Sequence, residues 1–307
     1  MQKLKSSMLL LPCARATLAA SLWLSASLAV PPALAAETPP PQTHILPSMF
    51  HKGFVYLKVS VNQLPEAWMI LDSGTTESIV DQAYARQIGL TLTPSLVPQA
   101  TFGTTQPQNY NTDTVRLRVG QEAEGVVAFE SIALGMTGPD GAPAAGMLGR
   151  TYLEGKAIVI DYPHSLVYLE TLPQPADPRD VPMSLKTGIP VIALNIGGKT
   201  VPALIDTGGT YDMIITPATA KELGIEKLMA EAKPAQTMGH GGAQAIVVGK
   251  APEFTVGALT VRDQRAAYTD FGTATDSVGA GVSLGIGFLK KYKITLNYVA
   301  QTVRFER

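Results

Sequence analysis

The chain repeats itself, and that repeat constrains its fold more than any other feature. Residues 53–76 read GFVYLKVSVNQLPEAWMILDSGTT, and residues 188–210 read GIPVIALNIGGKTVPALIDTGGT. Each copy runs from a glycine through an alternating apolar pattern and a turn into an apolar stretch, then Asp-(Ser/Thr)-Gly. Alternation with β-branched residues marks paired strands feeding a loop. IVDQAYARQIGL (79–90) answers IITPATAKELGI (214–225), each about one short helix long and closed by Gly89 or Gly224. GMLGRTYLEGKAIVIDYPHSLVYLE (146–170) answers VSLGIGFLKKYKITLNYVAQTVRFE (282–306). The separation is 134 residues at the aspartates, 135 at the helix and 136 in the last segment. Such a steady offset implies two fused copies of one unit.

Composition agrees with units made of short strands. Of 307 residues, 46% are hydrophobic and only 16% charged, with 28 glycines and 23 prolines, a mix that suits many turns. LPQPADPRDVP (172–182) reads as a linker. The expected layout is therefore lobe one at 48–171, the linker at 172–182 and lobe two at 183–307. Each lobe is expected to be mostly β with one or two short helices.

The first 36 residues stand apart. Lys3, Lys5 and Arg15 precede an apolar stretch from Ala16 to Val30, and small residues end it at Ala33-Leu34-Ala35-Ala36. This is the order of a secretory signal peptide, 1–36. Its apolar run is shorter than the roughly 20 residues of a membrane span. Cys13 follows Pro12 and lies within apolar sequence, which speaks against lipid attachment. Residues 37–47 read as a Pro-rich, loose leader. The expected location is a periplasm or the extracellular space, with no membrane association after cleavage. The mature chain has no cysteine, hence no disulfide, and its formal charge moves from −1 to −4. There is no basic run, so no nucleic-acid footprint.

One Asp-(Ser/Thr)-Gly is an ordinary turn. Here it occurs twice at equivalent points, each time after an apolar run, Trp68-Met69-Ile70-Leu71 and Ala203-Leu204-Ile205. Each Asp then ends a buried strand, where a carboxylate is costly unless it is used. Two carboxylates held close cannot both ionise and share one proton. The ionised member can take a proton from water while the protonated member hydrogen-bonds a peptide carbonyl. Asp72 and Asp206 are the expected catalytic pair. Ser73 and Thr207 carry hydroxyls able to bridge the two loops, and Gly74 and Gly208 let the backbone turn against the carboxylates.

The phrases MILDSGTTESIV, ALIDTGGTYDMII and MLGRTYL resemble the aspartic peptidases, in particular the retropepsin-like group arranged in tandem. The resemblance covers nearly all of residues 50–307. It implies a bilobal, mostly β fold of two closed lobes, a cleft between them, an Asp72–Asp206 dyad, interlocking hydrogen bonds from Ser73 and Thr207, and a segment such as MLGRTYL passing behind each active-site loop. It also implies a β-hairpin flap from each lobe. TMGHGGAQAIVVG (237–249) fits in lobe two, with Gly239, His240, Gly241 and Gly242 at its tip. ATFGTTQPQNYN (100–111) is the lobe-one candidate. The implied protein is a monomeric endopeptidase that binds peptide or protein substrate in extended form and needs no metal or cofactor.

The copies also differ. Thr75 follows Gly74 whereas Gly209 follows Gly208, so Thr75 is expected to donate to Asp72 and make it the more acidic of the two. Ser283 replaces an apolar residue and Asn297 stands for Asp161; neither is expected to touch the dyad. Among competing readings, Gly281 to Gly285 matches the serine-hydrolase pattern G-x-S-x-G, but the last histidine, His240, precedes the serine. His44, His51, His164 and His240 lack metal-ligand spacing. A catalytically inactive protein of the same fold that binds extended peptides is the serious alternative. A purely structural β protein leaves the twin buried Asp loops unexplained.

Overall fold

The computed structural model describes residues 44–99, 101–274 and 279–307. The expected signal peptide, residues 37–43 of the expected leader, and Ala100 of the lobe-one flap candidate lie outside them. No helix among the described residues is long and apolar enough to cross a membrane.

The chain is mostly β and adopts a bilobal aspartic-protease-like architecture. One sheet is formed by ten strands between Ser48 and Leu148, and a second by fifteen strands from the remainder. The repeat is visible as pairing. Strand Ala67–Leu71 runs antiparallel to Phe54–Val61 and parallel to Gly146–Leu148, which is itself antiparallel to Ser78–Asp81. In the second copy Lys199–Ile205 has the same relations to Val191–Ile196, Val282–Leu284 and Met213–Ile215. Ser78–Asp81, Gly146–Leu148, Met213–Ile215 and Val282–Leu284 are buried on both faces, as their apolar runs require, whereas Val191–Ile196 and Val115–Val119 alternate, the latter with Arg116 and Arg118 outward.

The two copies join through one antiparallel pairing. Ala157–Asp161 pairs with Lys293–Asn297, and at its centre Val159 faces Thr295, its own repeat partner at offset 136. Leu166–Leu169 and Thr302–Glu306 flank this pair, and His44–Ile45 and Val181–Ser184 flank those. A pseudo-twofold axis thus passes through the joining sheet. Beside it, Phe288 packs against Phe254, Tyr292 and Phe305 with ring centroids 5.8, 5.2 and 5.9 Å away.

Three details differ from the sequence reading. The helix-length segments begin as strands. Ile79-Val80 and Met213-Ile214-Ile215 are buried β residues, and the helices Gln82–Gln87 and Pro217–Leu223 start only where Asp81 and Thr216 cap backbone N–H groups. Gly224 then ends the second helix at φ +72°. The leader's last residues are part of the folded body: His44–Ile45 is a sheet strand and Leu46 is fully buried, because its side chain fills the core. The linker's end, Val181 and Pro182, lies in a strand paired with Val303 and Thr302.

Candidate active site

Asp72 and Asp206 lie at the ends of the repeat-related strands Ala67–Leu71 and Lys199–Ile205. Each backbone is held from behind by the neighbouring parallel strand. Asp72 N–H donates to Leu148 O at 3.0 Å, and Asp206 N–H donates to Leu284 O at 2.9 Å. The MLGRTYL segment and its counterpart therefore support the two loops, as expected of them.

The loops interlock reciprocally. Ser73 N–H donates to Thr207 Oγ1 at 2.9 Å, and Thr207 N–H donates to Ser73 Oγ at 3.1 Å. Ser73 Oγ donates to Ile205 O at 2.6 Å, and Thr207 Oγ1 donates to Leu71 O at 2.9 Å. Both side chains are almost fully buried. The interlock presses each loop's glycine against the other loop's carboxylate. A Cβ on Gly208 would sit 2.3 Å from Asp72 Cγ, and one on Gly74 would sit 2.6 Å from Asp206 Oδ1. Only a glycine tolerates either approach.

The two carboxyls lie side by side: the Cβ position at Gly74 is 2.6 Å from Asp206 Oδ1 and 3.2 Å from Asp72 Oδ1. Burial, then the adjacent Asp206, pushes Asp72 well above the usual carboxylate range, against the pull of the Gly74 N–H at 2.7 Å. Burial also raises Asp206, but three donors oppose it: the Tyr211 hydroxyl at 2.5 Å and the N–H groups of Gly208 and Gly209. Asp206 is therefore the member better able to hold the negative charge. This reverses the expectation for Thr75, whose hydroxyl donates to Glu77 O at 3.2 Å instead of to Asp72. Ser283 is also not remote from the dyad, because its Oγ lies 2.7 Å from the Tyr211 hydroxyl. Asn297 and Asp161 are equivalent in role: each side-chain oxygen accepts backbone N–H groups of the turn that follows.

Sequence reasoning missed Tyr211. The signal lay in comparing the copies, since Tyr211 stands where the first has Glu77, and Ser283 where it has Met147. Two further repeat partners, Tyr162 and Tyr298, are buried, and burial followed by the charges of Asp206 and Asp72 respectively holds both phenols neutral.

The Gly-rich segment of lobe two forms a hairpin, Lys233–Gly239 paired with Gly242–Lys250, with His240 and Gly241 at the turn. The lobe-one candidate is not a hairpin. Residues 101–109 are irregular, and Tyr110–Thr112 joins the sheet between Leu92–Pro94 and Phe129–Ile132. With Pro107 and several side-chain-to-backbone bonds, this stretch has little to offer a two-strand ladder. The two segments meet at their tips. Gly241 N–H donates to Phe102 O, and Gly241 O accepts from the N–H groups of Thr104 and Thr105, each at 3.0 Å, and from Thr105 Oγ1 at 2.8 Å. Gly103 has φ +129°, and a Cβ there would lie 2.4 Å from the Gly241 carbonyl carbon.

Comparison with known proteins bears on the second copy above all. Residues 192–288 match the model of a family described as aspartyl protease. No curated protein matches. Among solved structures, conglutin gamma, described as a unique basic 7S globulin from lupine seeds, is similar at 13% identity and a TM-score of 0.48, covering 87% of this chain and 95% of that one.

Proposed function

We propose that this chain is an aspartic-type endopeptidase of the tandem, exported retropepsin-like kind, cutting peptide bonds with a water activated between Asp72 and Asp206. One observation carries the reading: two adjacent carboxyls, each supplied by one repeat, stand on loops locked together by four reciprocal bonds from Ser73 and Thr207. One carboxyl is ionised and accepts a proton from water as the oxygen attacks the peptide carbonyl. The other gives its proton to the carbonyl oxygen, leaving a tetrahedral diol. The first then protonates the amide nitrogen, the C–N bond breaks, and a diol proton restores the second. Lobe two's hairpin and residues 101–105 serve as the lid. Substrate lies extended along strand edges, bound through its main chain. The protein acts as a monomer, since one chain supplies both aspartates, in a periplasm or outside the cell after loss of residues 1–36.

The test is cleavage of a mixed peptide library by the chain lacking residues 1–36, from about pH 3 to 8, beside Asp72→Asn and Asp206→Asn. Activity lost in both folded variants supports the dyad. Activity surviving in either overturns it, and binding without cleavage at any pH turns the reading to an inactive peptide-binding protein of this fold.

A further inference from the structure

We infer that Tyr211 and Ser283 form a positioning relay, present in the second copy alone, that fixes Asp206 as the ionised carboxylate and leaves Asp72 to carry the proton. This deepens the peptidase reading and rests on it. The Tyr211 hydroxyl lies 2.5 Å from Asp206 Oδ2 and 2.7 Å from Ser283 Oγ. A phenol has one proton, and the carboxylate is its strongest acceptor here, so Ser283 donates into the phenol oxygen. The direction is Ser283 to Tyr211 to Asp206, and each bond polarises the next.

The relay is held rigidly. Ser283 is fully buried in strand Val282–Leu284. The loop carrying Tyr211 is tied at three points: Ile286 N–H to Gly209 O at 2.7 Å, Gly287 N–H to Tyr211 O at 2.9 Å, and Gly285 N–H to Asp212 O at 3.1 Å. Gly209 makes room for it. A Cβ at Gly209 would lie 2.5 Å from both Asp206 Oδ2 and the Tyr211 ring, so a side chain there and the phenol exclude each other.

The first copy has none of this. Its residues at the same points are Thr75, Glu77 and Met147. The Thr75 hydroxyl is turned to Glu77 O, and Met147 packs with Tyr56, Ile70 and Ile79. Three positions thus differ together, and the difference falls on one carboxylate. The titratable groups acting on Asp206 are Asp72 and Tyr211, and its charge in turn helps to hold Tyr162 neutral. Tyr162 does not create the asymmetry, because its repeat partner Tyr298 stands in the same relation to Asp72, held neutral by burial and then by that charge.

The test is the pH profile of kcat/KM for Tyr211→Phe, which keeps the ring and removes only the donor. Loss of a charge-assisted bond to the ionised form should move the acidic limb upward by about one to two pH units. Below that limb kcat should fall while KM changes little. Ser283→Ala should move the limb the same way by less, and it decides the matter if Tyr211→Phe does not fold. An unmoved limb, or one that moves down, overturns the relay. A wild-type chain that cleaves nothing defeats the peptidase reading instead. The relay is then judged by NMR titration of aspartate 13Cγ, assigned through Asp72→Asn and Asp206→Asn. Asp206 should lose its proton first, with its midpoint raised in Tyr211→Phe; Asp72 ionising first refutes the assignment.

Discussion

Replacing Thr207 by valine tests the interlock without disturbing its shape. The two side chains have nearly the same shape, so the change exchanges one hydroxyl for a methyl and isolates the loss of its hydrogen bonds. That hydroxyl accepts from Ser73 N–H and donates to Leu71 O, each at 2.9 Å, at a residue with no exposed surface. Removing it takes a partner from a buried N–H and from a buried carbonyl. Each such loss costs about 1–3 kcal/mol, and the added methyl returns roughly 0.8 kcal/mol. The expected net loss is about 1–5 kcal/mol. Chemical denaturation would measure it as a lowered midpoint at unchanged slope. Ser73→Ala should cost a similar amount, because its Oγ accepts from Thr207 N–H and donates to Ile205 O. The double variant should lose less than the sum, with a coupling of about 0.5–3 kcal/mol. A loss below about 1 kcal/mol for Thr207→Val, or simple additivity, would refute the claim that these bonds act as one unit.

Two further outcomes follow from the same geometry. Folded Asp72 is raised by burial and by Asp206, so it binds its proton more tightly than the unfolded chain does. Its stabilising contribution is full below the unfolded value near about 4 and is lost as pH rises through the folded value. Asp72→Asn should therefore gain stability over the wild type as pH climbs from about 4 to 8, measured as a growing difference in thermal midpoint; a difference that is flat or shrinks would count against the shared proton. Gly103→Ala forces a Cβ into the Gly241 backbone at a φ that suits glycine. Hydrogen exchange at Thr104, Thr105 and Gly241 should then speed up about tenfold, the equivalent of one hydrogen bond, and unchanged exchange would mean that the tips are held apart from this contact.

What the sequence revealed, it revealed by repetition. Strand pairing around Asp72 and Asp206, the interlock, and the supporting segments at Leu148 and Leu284 all appear twice in similar residues. The elements that escaped are those present once. Tyr211 acts on Asp206 from five positions along the loop, through a side-chain direction set by backbone bonds to residues 285–287 that no linear pattern announces. Thr75 looked like the donor because it follows the Asp-Ser-Gly triplet directly, yet its hydroxyl finds Glu77 O first. A hairpin flap in lobe one rests on the resemblance alone, and Pro107, Gln108 and Asn109 favour an irregular path. Residues 44–47 end a Pro-rich stretch that reads as loose, but Leu46 has a core position to fill.

These successes and failures divide along one physical line. Holding two carboxylates together is a task with twofold symmetry, and the residues that do it kept that symmetry: Ser73 with Thr207, Gly74 with Gly208, Val159 against Thr295. Sharing one proton between them is not symmetric. Two identical copies would offer each carboxylate the same donors, and the proton would have no preferred side. A fused chain can break that tie, because each copy varies independently. Here the break needs a glycine to open space, a tyrosine to fill it and a serine to orient the phenol, and all three lie on the side of Asp206. The first copy spends its equivalent positions on packing, with Met147 in an apolar cluster and Thr75 closing its own turn. A lone change at any one of the three positions would leave a clash or an unpaired buried hydroxyl, so the difference between the lobes is one device rather than three separate drifts.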